Sequence, residues 1–198
     1  MHGKIIGLTG PSGSGKSTVG AYLTKTAGIP VVDCDKIARE VVKKGSPVLA
    51  ELASVFGGGI IAPGGELDRI RLAETAFSSP ENTAKLGAVT HPAIIKISFD
   101  DAENFLKNGA KAVIIDAAAL FESEAHKKCD YTAAVIAPEK IRLERITSRD
   151  GISKERALQR MNAQRDSGFY TEKADFTVRN YPPFVLEEEL KPLFEMIE

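Results

Sequence analysis

The chain has 198 residues, 43% hydrophobic and 27% charged, which supplies a packed core and excludes intrinsic disorder as the default. A formal net charge of −1 gives no global attraction to nucleic acid or to an anionic membrane, so any anion must be held by local groups. Two cysteines, Cys34 and Cys129, form neither a disulfide framework nor a zinc pattern, and no run reaches the roughly 18 apolar residues of a membrane span. The expectation is a cytoplasmic protein with no membrane or nucleic-acid partner.

Lys4 to Thr9 is short, apolar and β-branched, and is followed by the glycine-rich Gly10-Pro-Ser-Gly-Ser-Gly15. From Lys16 the spacing predicts a helix with Val19, Leu23 and Thr26 on one side. Ile29 to Asp33 reads as a second strand, nearly all apolar and ending on a carboxylate. From Lys36 to about Phe105 the pattern is mostly helical, too long for a simple crossover, and predicts an inserted helical subdomain. Ala112–Asp116, Tyr131–Ala137 and Ala174–Val178 supply three more strands. Between Glu139 and Arg165 lies a helical hairpin with eight Lys or Arg against four acidic residues, turning at Asp150-Gly151 with Ser153 as N-cap. The tail from Pro182 predicts a docking helix, with Val185, Leu186, Leu190, Leu193 and Ile197 on its apolar face.

Strands alternating with helices imply a parallel sheet whose ligands lie at the carboxyl ends of its strands, where the glycine loop, Asp33 and Asp116 all fall. The expected fold is α/β: a five-stranded parallel sheet flanked by helices, in a single domain. Its core spans about 1–35, 110–138 and 166–198, with a helical insertion over about 36–109 and a lid over about 139–165.

Gly10 to Ser17 has the phosphate-loop (P-loop) spacing: two glycines flanking four residues, then Lys-Ser, between a strand and a helix. Such a loop turns backbone N–H groups onto phosphate oxygens and adds the helix dipole. Pro11, Ser12, Gly13, Ser14, Gly15, Lys16, Ser17 and Thr18 are therefore the expected ATP-binding residues, with Lys16 bridging the β- and γ-phosphates and Ser17 offering its hydroxyl to Mg²⁺. Asp33-Cys-Asp35 follows the second strand, and two readings of Asp35 stand side by side: a carboxylate that takes a proton from an attacking hydroxyl, or the N-cap of the next helix. Arg142, Arg145, Arg149 and Arg160 are candidates to close on the transferring phosphoryl group; a solvated, salt-bridged face is the alternative for each. His91, before Pro92, reads either as a site residue or as a structural one, and His2 and His126 as surface residues.

Taken in order, the motifs resemble the dephospho-coenzyme A kinase family across nearly the whole chain. They are Gly7-Leu-Thr-Gly10 with Gly13-Ser-Gly-Lys-Ser-Thr18, Val32-Asp-Cys-Asp-Lys-Ile-Ala-Arg-Glu-Val41, Phe56-Gly57, Leu67-Asp-Arg69, Phe77 and His91-Pro92. Leu120-Phe-Glu122, Arg142, Arg149-Asp150, Gln164, Ala174-Asp175 and Asn180 complete the set. The resemblance implies ATP-dependent phosphorylation of the ribose 3′-hydroxyl of dephospho-coenzyme A by a monomer or small homo-oligomer. By position it implies Asp35, Lys16 and Arg142 as catalytic, Asn180 beside the adenine, and Asp33, Arg39, Arg69, His91 and Glu122 on the acceptor side. Two departures stand out: Ala118-Ala119 where the family commonly has Pro-Leu, and Pro11-Ser12 where it commonly has Gly-Ile. A nucleoside kinase of similar architecture and a nucleotide-dependent switch are the competing readings, although the Asn-Lys-x-Asp segment of guanine-reading switches does not occur.

Overall fold

Five short apolar runs become the strands of one sheet in the structure, a computed structural model that describes residues 3–197. They are β1 (Lys4–Thr9), β2 (Val31–Asp33), β3 (Ala112–Asp116), β4 (Tyr131–Ile136) and β5 (Phe176–Arg179), in the order β2-β3-β1-β4-β5. The strands run parallel, with Leu8 opposite Asp116 on one side and Ala133 on the other. Ile6–Thr9 and Ala112–Ile115 are buried without alternation, as strands covered on both faces require. The chain leaves β1 toward one edge for β2 and β3 and toward the other for β4 and β5, so the carboxyl end of β1 is the switch point where such sheets bind ligands.

The helices are α1 (Lys16–Ala27), α2 (Cys34–Glu40), α3 (Pro47–Phe56), α4 (Arg69–Ala76), α5 (Pro80–Lys107), α6 (Glu139–Asp150), α7 (Lys154–Asn162), α8 (Ser167–Thr171), α9 (Leu186–Glu189) and α10 (Lys191–Ile197). The described residues form two compact units, one running up to Val32 and resuming at Asp101, the other spanning Asp33–Asp100.

In the sheet unit, Val19 and Leu23 of α1 pack with Ile6, Leu8, Ile114, Val135 and Val178, and Leu190 and Leu193 of the tail join them. Thr26, expected on the same face, is exposed and donates its hydroxyl to the Tyr22 carbonyl. β2 begins two residues later than expected because Pro30 has no N–H, although its carbonyl accepts from Ile114 N at 2.9 Å. β5 also starts late. The Asp175 carboxylate accepts from Thr132 N at 2.7 Å and Thr132 Oγ1 at 2.8 Å, tying β4 to the entry of β5 with side-chain bonds in place of ladder bonds. The predicted tail helix is two short helices, since Pro192 cannot donate to the Glu188 carbonyl. The hairpin forms as expected: Gly151 ends α6 at φ 63, Ser153 Oγ accepts from Arg156 N, and Ile146, Ala157 and Met161 are buried between the helices. His126 is partly buried, its ring packed edge-on against Phe121, rather than a free surface residue; His2 lies outside the described residues.

In the Asp33–Asp100 unit, Val41, Val42, Leu52, Ile60, Leu72 and Val89 form a separate core. Ser46 Oγ caps α3 through Leu49 N at 3.0 Å, and Asp68 caps α4 through Ile70 N and Arg71 N. α5 continues through Pro92 although that residue cannot bond the Ala88 carbonyl. The His91 ring covers Gly87, where an added Cβ would lie 2.9 Å from the ring, and this desolvation holds the imidazole below its ordinary pKa.

Asp175→Ala removes both bonds to the buried Thr132 and is expected to lower stability by about 2 kcal/mol, read as a lower urea midpoint at unchanged slope. His91 binds its proton less readily folded than unfolded, so its contribution is intact above the ordinary value of about 6.5 and is lost as pH falls from there through the lowered folded value. His91→Gln should therefore lose less stability between pH 7 and pH 5 than the wild-type chain, as urea titrations at the two pH values will read.

Candidate active site

β1 delivers the chain into the loop at Gly10, and α1 receives it at Lys16. Gly13 at φ 79 and Gly15 at φ 93 adopt backbone angles that an L side chain resists. Both also lie against neighbours that leave no room for one: a Cβ on Gly13 would meet the Arg142 carbonyl oxygen at 2.7 Å, and one on Gly15 the Asn180 amide nitrogen at 2.0 Å.

Those neighbours take hold of the loop's carbonyls. Arg142 Nε donates to Ser12 O at 2.9 Å, and Arg145 Nη1 donates to Gly13 O at 3.2 Å and Ser14 O at 3.0 Å. Asn180 Nδ2 donates to Ser14 O at 3.0 Å and Gly15 O at 3.3 Å, and Arg145 Nη2 closes the circuit on Asn180 O at 2.8 Å. Gln164 Oε1 accepts from Ser12 N at 2.9 Å. In a planar trans peptide, the N–H following a carbonyl points the opposite way. Anchoring four successive carbonyls on α6 and Asn180 therefore turns the N–H groups of Gly13, Gly15 and Lys16 away from the clamp. Ser14 N, by contrast, folds back to Pro11 O at 3.2 Å. The result is a concave set of donors at the N-terminus of a 12-residue helix, suited to the oxygens of a polyphosphate.

Lys16 Nζ lies 3.0 Å from Gly10 O, folded back over the loop, and Ser17 and Thr18 are exposed in the first turn of α1. Ser17 is a hard oxygen donor, and Asp116 ends β3 beside β1. Among the described residues no cluster of three His, Cys, Asp or Glu could hold a metal by itself. That donor set fits Mg²⁺, which is held through one or two protein oxygens and the nucleotide's own phosphates rather than in an all-protein cage.

The four hairpin arginines separate into two pairs. Arg142 is 7% exposed, its guanidinium pulled below the ordinary value by burial, and it bonds the loop as Arg145 does. Arg149 and Arg160 are exposed and share the Asp150 carboxylate, Arg149 through Nε at 2.7 Å and Arg160 through Nη1 at 2.8 Å. Arg145 carries more contacts to the loop than any of the four, a distinction its position in an Arg-rich helix did not reveal. Gln164, one of the motif residues, had no signal beyond its place after the hairpin. Glu122 is exposed; its negative charge reinforces the effect of burial in raising the Tyr170 pKa. The altered Ala118-Ala119 turn is held without proline: Ala118 O accepts from Thr9 Oγ1 at 3.3 Å and Ala119 O from Ser123 N at 2.9 Å.

In the other unit, the cap of α2 is Asp33, whose carboxylate accepts from Lys36 N at 3.0 Å. The capping role open to Asp35 therefore falls on Asp33. Asp35 is exposed in the first turn of α2, with Arg39 four residues on and also exposed. Arg69 is exposed at the start of α4, and His91 lies partly buried in the middle of α5.

The model of the dephospho-CoA kinase family matches residues 4–183. A curated relative from Listeria innocua named dephospho-CoA kinase is 39% identical over 196 residues, covering 99% of this chain and 96% of its own. The crystal structure of TT1252 from Thermus thermophilus is 33% identical with a TM-score of 0.82 and covers 100% of both chains. Shikimate kinase from Bacteroides thetaiotaomicron, 14% identical with a TM-score of 0.52 over 98% of each chain, shares the fold alone. By sequence over almost its whole length and by its P-loop kinase fold, the chain belongs to the dephospho-CoA kinase family.

Proposed function

We propose that this enzyme transfers the γ-phosphoryl group of ATP to the ribose 3′-hydroxyl of dephospho-coenzyme A, giving coenzyme A and ADP. The observation that carries this reading is the clamped phosphate loop, found in a chain of this family together with a carboxylate, Asp35, that is relieved of helix capping. The backbone N–H groups and Lys16 bind the β- and γ-phosphates, with Lys16 exchanging the Gly10 carbonyl for phosphate oxygens. Mg²⁺, accepted by Ser17 and the phosphates, would neutralise charge on the transferring group.

Asp35 accepts a hydrogen bond from the 3′-hydroxyl and takes its proton as the new O–P bond forms and the bond to ADP breaks. Because phosphoryl transfer is loose, orienting that oxygen matters more than early proton removal. Arg142 and Arg145 hold the loop rigid, so the donors need no reorganisation as charge shifts. Asp33, Arg39, Arg69, His91 and Glu122 are assigned to the acceptor side and Asn180 to the adenine side. We read one kinase domain in which the 36–109 insertion takes the acceptor and 139–165 acts as lid, working in the cytoplasm as a monomer or small homo-oligomer. No helix among the described residues is long and apolar enough to cross a membrane.

Asp35→Asn should keep ATP affinity and lose about 10²-fold or more in turnover, measured by ADP release with the product mass checked. Unchanged turnover removes Asp35 from the chemistry. Gly15→Ala, with its Cβ 2.0 Å from Asn180 Nδ2, should abolish ATP binding in calorimetry.

A further inference from the structure

Both arms of the hairpin grip the same loop residue. The Ser12 carbonyl accepts from Arg142 Nε at 2.9 Å, in the first turn of α6, and the Ser12 N–H donates to Gln164 Oε1 at 2.9 Å, just past the end of α7. α6 and α7 pack on each other through Ile146, Ala157 and Met161, so the two grips belong to one body. Gln164 is held by that body, since its own N–H donates to Met161 O at 3.1 Å and extends the last turn of α7. All of these residues lie in the sheet unit.

The bond to Gln164 decides which donors the loop offers. Pro11 has no N–H, Ser14 N is engaged by Pro11 O at 3.2 Å, and Gln164 takes Ser12 N, so the donors turned outward are those of Gly13, Gly15 and Lys16. An unheld Ser12 N–H would compete for the same phosphate oxygens, and the peptide between Pro11 and Ser12 would turn to meet them. A neutral amide oxygen removes that competitor without setting a negative charge beside the anion, as a carboxylate at this position would. We propose that Gln164 is a positioning residue for phosphoryl transfer, acting through Ser12: it fixes the set of N–H groups that the polyphosphate meets and ties the second arm of the hairpin to the loop. This rests on the reading of the loop and of the reaction given above. Loss of the bond leaves the outward donors and Lys16 in place to bind ATP but lets the loop shift under it, and in-line transfer is more sensitive to such a shift than binding is.

Two variants of similar length test this. Gln164→Met removes the acceptor oxygen, and Gln164→Glu keeps one while adding a charge; Gln164→Leu replaces the Met variant if circular dichroism shows that it does not fold. Each is measured for kcat with dephospho-coenzyme A, for the Kd of ATP by calorimetry, and for hydrogen exchange at the Ser12 amide by NMR without nucleotide. Gln164→Met should lose about tenfold or more in kcat with the Kd for ATP within about threefold of wild type. Gln164→Glu should recover kcat to within about threefold while its Kd for ATP rises about tenfold, the opposite split. The Ser12 amide should exchange about tenfold faster in Gln164→Met than in the wild-type chain or Gln164→Glu. A kcat for Gln164→Met within about twofold of wild type, or an equal loss of kcat in both variants, overturns the positioning role. Exchange at Ser12 within about twofold of wild type in Gln164→Met overturns the grip itself, whether or not the enzyme turns over. A wild-type chain that does not phosphorylate dephospho-coenzyme A overturns the reaction instead, and the exchange result then still judges the grip.

Discussion

Four successive backbone carbonyls, from Ser12 to Gly15, are gripped by two arginines and an asparagine, and the phosphate site depends on that grip. A glycine-rich loop has the largest conformational entropy to lose on ordering, so an ungripped loop would sample many peptide orientations. Bonds from guanidinium groups are stronger than neutral ones, and here they fix the peptide planes from the side opposite the ligand. Backbone donors for an anion are thereby held in place beside the one cationic side chain of the loop, Lys16.

The cost of this arrangement is visible. Arg142 is buried, and burial is the largest influence on its guanidinium. Ser14 is fully buried with a hydroxyl that has no hydrogen-bond partner among the described residues, a penalty of about 1–3 kcal/mol. Such penalties gather where function needs a particular backbone and packing elsewhere can offset them. The offset here lies in the sheet, where Leu8 and Ile114 are fully buried within two residues of the strand ends that launch the loop and Asp116, with Ile6 and Val135 fully buried in the same core.

Regular elements were readable because each rests on a local pattern. The parallel strands are unbroken apolar runs, and the hairpin turns at Gly151 before a serine cap. Boundaries moved where a single atom intervened: Pro30 and Pro192 lack an N–H, and Asp175 replaces ladder bonds with side-chain ones. Asp33 and Asp35 are two residues apart and chemically alike, so only the start of α2 at Cys34 decides which of them caps.

The sequence by itself determined the fold class, the phosphate loop and the family, because glycine spacing, strand periodicity and ordered motifs are properties of neighbouring residues. Tertiary structure alone decided the work of the arginines. Arg142 and Arg145 reach carbonyls 130 to 132 positions away, whereas Arg149 and Arg160 turn to Asp150 on their own hairpin. A guanidinium looks the same in every helix until packing sets what faces it, and no local pattern records a contact across so long a stretch of chain.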